Sequence, residues 1–496
     1  MATETELKLA IAAHDVPALL AHPLLAAQPS QQQHLVSTYF DTPKRALRAR
    51  GIAVRERRAG RQTLLAVKTA GTVAGGLAVR NEWEAPATGG RFDFASLVDE
   101  PALAAELQTL AGKLVPVFTT DFTRRCWLVA HHKALIEVAL DRGQIHAMTR
   151  DGPRSLPLLE LELELKQGPP EALFRLARQL ARGVHLRPLA ASKVDRGDGL
   201  ARGKRAKPVK ADAIALVSDA HPVEAFRAVA LACLAQLLAN EGGVLHSEDI
   251  EYLHQARVAL RRLRAALRVF APLLPPRFVT RWGPAWRALA QSLGTARDHD
   301  VFRTGLLPAL IPLLGPRDAA RLQAWARVQG QAATAAARRS LASRETSDHL
   351  LAFTRDLLRL KAGKPGASTE PLRPWALKRL RQRHRRLLNG IRSADLFDAV
   401  ERHQVRIEAK KLRYALDFLG SLWPPEALHD LTEALVQAQE LLGQMNDRVS
   451  AQHLLTTAPQ AGAERLQMVL GAQLVQSAAQ LPLALKAVMQ APTPWK

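Results

Sequence analysis

Glu4, Glu6 and Lys8 alternate with Thr5, Leu7 and Leu9 near the start of the chain. A strand turns successive side chains to opposite faces, so the charged groups share one face and the apolar ones line the other. The pattern recurs. Arg55 and Arg57 share a face in AVRER, Arg80, Glu82 and Glu84 in VRNEWE, Glu137 and Asp141 in IEVALD, and Glu160, Glu162, Glu164 and Lys166 in ELELELK. Glutamates in register on one strand repel each other at neutral pH unless cations intervene. A site that needs both signs accounts for the arrangement. Clustered carboxylate oxygens are hard ligands for Mg2+ or Mn2+, and rows of Lys and Arg suit phosphate oxygens. Strands of this kind, closed with their charged faces inward, would enclose a polar lumen that holds a metal–triphosphate. The plainer alternative is an antiparallel sheet whose charges face water. No Ser/His/Asp or Cys/His set accompanies these residues, and phosphoryl transfer asks little covalent chemistry of a protein. A metal-activated water is therefore the expected nucleophile.

The elements that must position these groups follow from texture. The chain has 496 residues and a formal charge of +23, of which +5 falls before residue 200 and +18 after it. The excess positive charge points to an anionic partner for the C-terminal part. Arg196 to Lys210 mixes Gly, Pro and basic residues without periodicity, as a linker does. Before it, short runs alternate with a period of two and predict strands; after it, Leu, Ala and Arg recur every three or four residues and predict helices. The expected architecture is α+β and multidomain: a β domain over 1–200, a basic linker over 201–214 and an all-α domain over 215–490. Two distant cysteines, Cys126 and Cys233, imply neither a disulfide framework nor a zinc site. The N-terminus lacks a signal-peptide pattern and no segment reads as a membrane span, so a cytoplasmic location is expected.

The ordered set from Glu4-x-Glu6-x-Lys8 through TYFDTP (38–43), AVRERR (53–58), LAVKTAG (65–71), RNEWE (80–84), TDFTRRCW (120–127), IEVALDRG (136–143) and ELELELKQG (160–168) resembles the CYTH superfamily, the triphosphate tunnel metalloenzymes. The resemblance implies an eight-stranded antiparallel tunnel and hydrolysis, or less often cyclisation, of a triphosphate with Mg2+ or Mn2+. It makes Glu4, Glu6, Asp141, Glu160, Glu162 and Glu164 metal ligands. It gives the phosphates to Lys8, Arg55, Arg57, Lys68, Arg80, Arg124 and Lys193. Inorganic triphosphate is the expected substrate. The alternatives are a thiamine-triphosphatase, an adenylate cyclase, or a non-enzymatic polyphosphate-binding adaptor.

The helical half is duplicated. Leu253 to Phe270 aligns without gaps with Arg402 to Leu419 at an offset of 149 residues, and Leu293 to Asp300 aligns with Leu442 to Val449 at the same offset. The repeats are expected at about 222–350 and 371–490. At 100° per residue, His254, Arg257, Arg261 and Arg264 form one stripe opposite Leu260, Leu263 and Leu267. His403, Arg406, Lys410 and Arg413 repeat it. Like charges at four-residue spacing are mildly unfavourable, so stripes without acids suggest an anion that answers them. This half resembles the CHAD domain, which implies two four-helix bundles related by a pseudo-twofold axis that bind inorganic polyphosphate on these basic helices. Nucleic acid is the rival partner and is disfavoured, because the stripes offer base stacking little beyond Tyr414.

Overall fold

The computed structural model describes residues 2–87, 92–203, 206–361 and 370–495. The chain forms two compact units: Met1–Pro208 with Arg344–Arg359, and Val209–Ser343 with Leu360–Lys496.

The first unit is built on strands β1 (Ala2–Ile11), β2 (Ser30–Asp41), β3 (Ala53–Ala59), β4 (Gln62–Lys68), β5 (Thr72–Ala74), β6 (Leu77–Pro86), β7 (Val115–His131), β8 (Ala134–Thr149), β9 (Gly152–Gln167) and β10 (Leu186–Pro188). They form one antiparallel sheet in the order β10-β1-β9-β8-β7-β2-β3-β4-β6-β5, and β1 also pairs with β6. That extra pairing closes the eight longer strands into a barrel and leaves β5 and β10 as short additions. The closed antiparallel barrel is the one expected.

Alternation then sorts the side chains. Leu7, Leu9, Leu161 and Leu163 point outward from β1 and β9 and are fully buried. They share a core with Leu173, Phe174, Leu176 and Leu180 of helix Glu171–Leu180. On the other flank, Val54, Val67 and Trp83 are covered by Phe94 and Leu107. Full burial of one such side chain contributes about 1.5–3 kcal/mol, so the apolar shell outside the barrel holds the charged interior in place.

Inside the barrel, Leu35, Tyr39, Phe118, Phe122 and Ile145 form an apolar cluster with Val194 and Leu200 of helix Lys193–Arg202. A Cβ at Gly197 would lie 2.2 Å from the Phe118 ring, so only glycine lets this helix approach so closely. Ser192 and Asp195 form a capping box at its N-terminus, and Arg48 reaches Asp195 at 2.5 Å.

Helix Arg344–Leu358 comes from the helical half of the sequence yet belongs to the first unit. Leu351 is fully buried in the same core as Leu7 and Leu163. Arg178 donates two hydrogen bonds to Asp348, at 2.6 and 3.0 Å, and His185 lies 3.1 Å from the Ser347 hydroxyl.

The second unit holds two sets of four long helices. The first comprises Pro222–His246, Ile250–Val269, Pro276–Val301 and Pro316–Leu341; the second comprises Leu372–Ser393, Ala399–Leu419, Glu426–Leu455 and Gln460–Gln490. Successive helices within each set pack together, and helix Ile250–Val269 packs on its counterpart Ala399–Leu419. The duplication reaches the caps. Asp249 accepts a hydrogen bond from the Glu251 backbone N–H, and Asp398 accepts from Val400 and Glu401. Two helices here, Pro222–His246 and Gly462–Gln490, are long and apolar enough to cross a membrane by length and composition, with 56% and 28% of their apolar windows buried.

Candidate active site

The lumen contains a cavity of about 480 Å³ lined by eight cations and seven carboxylates. Glu4, Glu6, Lys8, Arg55, Arg57, Lys68, Arg80, Arg124, Glu162, Glu164 and Lys193 all reach it. They come from six barrel strands and from the first residue of helix Lys193–Arg202.

On one wall Lys68 donates to Glu4 at 2.8 Å and lies 2.9 Å from Glu82, while Arg80 bridges Glu4 at 3.0 Å and Glu6. Burial pushes the Glu4 carboxyl up, but the Lys68 and Arg80 charges outweigh it and hold it at about 2. Burial also depresses the Lys68 ammonium, and Arg55 adds to the fall while Glu4 opposes it. Lys8 lies 3.1 Å from Glu6 and 3.8 Å from Glu162.

Arg57 differs. Its guanidinium makes one long contact, 3.4 Å to the Ser37 hydroxyl, and among the described residues no carboxylate lies within ion-pair distance. Burial, then repulsion by Arg55 and Arg124, pulls it down to about 10. Glu84 opposes that fall only from beyond ion-pair contact, and a half-buried cation that faces the cavity in this way is a place for an anion.

Asp141 and Glu160 stand apart from the other acids. Both are wholly buried behind the wall and do not line the cavity. Asp141 accepts two bonds from Arg124 at 2.7 Å and lies 2.7 Å from Lys193. Glu160 is held by Lys193 and Arg196. Oxygens of Asp141, Glu160 and Glu162 come within 4.8 Å of one another, a spacing a metal ion can bridge, but here the Lys193 ammonium answers them. Burial alone would depress Lys193; Asp141, Glu162 and Glu160 outweigh it and raise it.

Glu164 keeps a surplus of negative charge around it. It pairs directly with Glu6 on one side and Glu137 on the other. Burial, and then Glu4 and Glu137, push its carboxyl up although Lys166 sits 2.7 Å away. Hard carboxylate oxygens that converge beside a carboxyl pushed up by its acidic neighbours suit a divalent metal ion.

Tyr39 was not expected at the site, and Arg196, expected to open a linker, instead lies inside helix Lys193–Arg202 and holds Glu160. Tyr39 lines the cavity, hydrogen-bonds Arg55 and stacks on Phe118 with ring centroids 4.4 Å apart. Period two from Ser37 and Asp41 puts it on the inward face, a signal that its type alone did not give. Arg196 follows Lys193 by one helical turn, and its role shows only once the helix is docked.

In the second unit, His254, Arg257, Arg261 and Arg264 lie on helix Ile250–Val269, opposite the buried Leu260, Leu263 and Leu267. His403, Arg406, Lys410 and Arg413 lie on Ala399–Leu419. The two rows meet. Burial lowers Arg406, with Arg261 and Arg257 adding to the fall and Asp447 opposing it. Burial, Arg406, Arg261 and Arg257 together bring the Lys410 ammonium down to about 7. Arg261 also lies over the Tyr414 ring, 5.7 Å from its centroid. Asp298 and Asp447, equivalent in the duplication, supply carboxylates beside Arg257 and Arg406. Arg413 is turned toward Gln439, at 3.2 Å. Burial, and Arg297 before the other cations, lowers His254; burial and Arg406 lower His403.

A closed barrel with a charged lumen, followed by a duplicated helical unit, defines a two-domain class. Residues 2–197 match the CYTH domain and residues 228–456 match the CHAD domain, so the chain carries both. A curated inorganic triphosphatase from Haemophilus influenzae is 33% identical over 207 residues, 40% of this chain and 54% of that protein, so the match spans about half of the relative's length. The crystal structure of a CHAD domain from the plant Ricinus communis shares 30% identity with a TM-score of 0.51, across 58% of this chain and 98% of its own. HpAC1 from Hippeastrum shares 18% identity with a TM-score of 0.30, across 39% of this chain and 95% of its own.

Proposed function

We propose that the tunnel hydrolyses inorganic triphosphate to pyrophosphate and orthophosphate with Mg2+ or Mn2+. The observation that carries this reading is Arg57, a lumen cation with no carboxylate at ion-pair distance among the described residues, beside Lys8, Arg55, Lys68, Arg80 and Arg124. The inorganic triphosphatase relative supports it. Among the described lining residues Tyr39 is the only aromatic group, and its ring already stacks on Phe118. A base or thiazolium therefore finds no free stacking partner, which favours a bare triphosphate over nucleotide or thiamine esters.

Glu4, Glu6, Glu162 and Glu164 would hold the metal ion, because they line the cavity. Asp141 and Glu160 would instead position Lys193 and Arg124. When bound, the ion polarises phosphoryl oxygens and lowers the pKa of coordinated water. Lys8, Arg55, Arg57 and Arg80 orient the phosphate chain and neutralise charge that grows on the leaving pyrophosphate. The test is orthophosphate release from tripolyphosphate by Arg57→Ala. Loss of one such contact is expected to cut turnover by about 100-fold, with the circular dichroism spectrum unchanged. An unchanged rate would contradict the assignment.

The helical unit would bind inorganic polyphosphate through His254, Arg257, Arg261 and Arg264 and through His403, Arg406 and Lys410, with Arg413 contributing after it leaves Gln439. Two free cysteines, Cys126 and Cys233, suit a reducing cytoplasm.

A further inference from the structure

Helix Gln460–Gln490 buries one face and leaves the other bare. Leu466, Leu470, Leu481 and Leu485 are at most 1% exposed, whereas Met468, Val475 and Leu483 are 69%, 64% and 77% exposed. Ala472 and Ala479 are exposed between them. At 100° per residue these five, spaced by four, three, four and four residues, fall within about an 80° stripe. From residue 466 to 485 the helix has no charged side chain.

The fourth helix of the first repeat shows that this face is not a requirement of the fold. Pro316–Leu341 carries Arg317, Arg321, Arg327 and Arg339 exposed. Helix Gln460–Gln490 carries no such charges between residues 466 and 485, and an apolar face turned to water over that length calls for an occupant.

We propose that this face is a homodimer interface, in which the same helix of a second copy packs antiparallel. Large and small residues alternate along the stripe as Met468, Ala472, Val475, Ala479 and Leu483. Pairing about residue 477 sets Val475 against Ala479 of the second copy and Ala472 beside its Leu483, so that large fills small, as an isologous contact requires. The ends agree in charge. Glu464 and Lys486 are both exposed, and the antiparallel arrangement brings each to about four residues, or about 6 Å along the axis, from its opposite on the other copy. Parallel pairing would set lysine against lysine.

A lipid surface is the competing occupant. An interfacial helix needs a row of Lys or Arg bordering its apolar face, and here only Arg465 and Lys486 flank it. A bilayer-spanning role conflicts with the four buried leucines on the inner face.

Met468 to Leu483 spans about 22 Å, which puts the contact at the small end of specific interfaces and the expected dissociation constant in the micromolar range. Sedimentation equilibrium of the full chain between about 1 and 200 µM is expected to show mass rising from 54.3 kDa toward twice that value. Val475→Glu is expected to weaken association at least about 10-fold. Should Val475→Glu lose helix content, the end charges keep the test open: Glu464→Lys and Lys486→Glu each weaken the dimer and the double exchange restores it. A monomer throughout the range would overturn the proposal, as would a dimer indifferent to all three variants. So would flotation of the wild-type chain with phosphatidylcholine–phosphatidylglycerol vesicles in place of self-association.

Discussion

Glu6 of β1 stands directly opposite Glu164 of β9 in the antiparallel ladder, and Glu164 in turn faces Glu137 of β8. Three carboxylates thus run in a row across three neighbouring strands. Like charges directly opposite destabilise a sheet, and Lys8, Arg80 and Lys166 answer the row only in part.

A divalent ion should therefore stabilise the barrel as well as serve its chemistry. Addition of Mn2+ at about 100 times its dissociation constant is expected to stabilise the tunnel unit by about 2.7 kcal/mol. Calorimetry with and without the ion reads this as a higher melting temperature of one transition. Glu164→Gln is expected to raise the melting temperature of the metal-free protein and to shrink the metal-dependent increment. A Glu164→Gln variant that keeps the full increment would remove Glu164 from the ligand set.

The helix Arg344–Leu358 offers a contrast of magnitudes. Leu351 is fully buried in the barrel's outer core, and Leu351→Ala should cost about 2–5 kcal/mol, from lost transfer energy and the cavity left behind. Arg178 and Asp348 form a good bidentate pair, but their side chains are 28% and 46% exposed, so Arg178→Ala should cost under about 1 kcal/mol. Calorimetry of the full chain is expected to show only the tunnel unit's transition moving, and by far more for Leu351→Ala. Equal shifts for the two variants would mean that this helix is held by its charges and not by its apolar face.

These elements also mark what can be read from sequence. The charged face of each barrel strand was legible because alternation fixes side-chain direction, so Glu4, Arg57 and Glu162 could be placed together before any coordinates. The basic stripes were legible because the duplication repeats them at a constant offset. Depth within a shared face was not legible: Glu160 and Glu162 alternate identically on β9, yet Lys193 and Arg196 enclose the first while the second reaches the cavity. That difference depends on where helix Lys193–Arg202 docks, a long-range event that Gly197 permits. The allegiance of Arg344–Leu358 was hidden for the same reason, since its helical period says which face is apolar and not what covers it.

Lys410 should make anion binding depend on pH. Its ammonium, near 7, is crowded by Arg406 on its own helix and by Arg261 and Arg257 on helix Ile250–Val269, with Asp447 of helix Glu426–Leu455 opposing. A bound anion would raise that value, so binding takes up a proton above pH 7 and none well below it. Polyphosphate affinity is expected to fall up to about 10-fold per pH unit as pH rises through 7, and Lys410→Arg is expected to flatten the decline between about pH 7 and 8.5. His254 and His403, lowered by burial and neighbouring cations, add to the dependence only at lower pH. Titration calorimetry in buffers of different ionisation enthalpy measures the proton uptake directly. Identical slopes for wild type and Lys410→Arg would place the titrating group elsewhere.

The most direct test of the tunnel chemistry is the steady-state release of orthophosphate from tripolyphosphate with Mg2+ or Mn2+, by wild type and by the double variant Glu4→Gln, Glu6→Gln. Wild type is expected to turn over at about 1–1000 per second, to lose activity with excess chelator, and to fall by at least about 1000-fold in the double variant. Turnover that survives both the chelator and the paired substitution would contradict a metal-dependent site in the lumen.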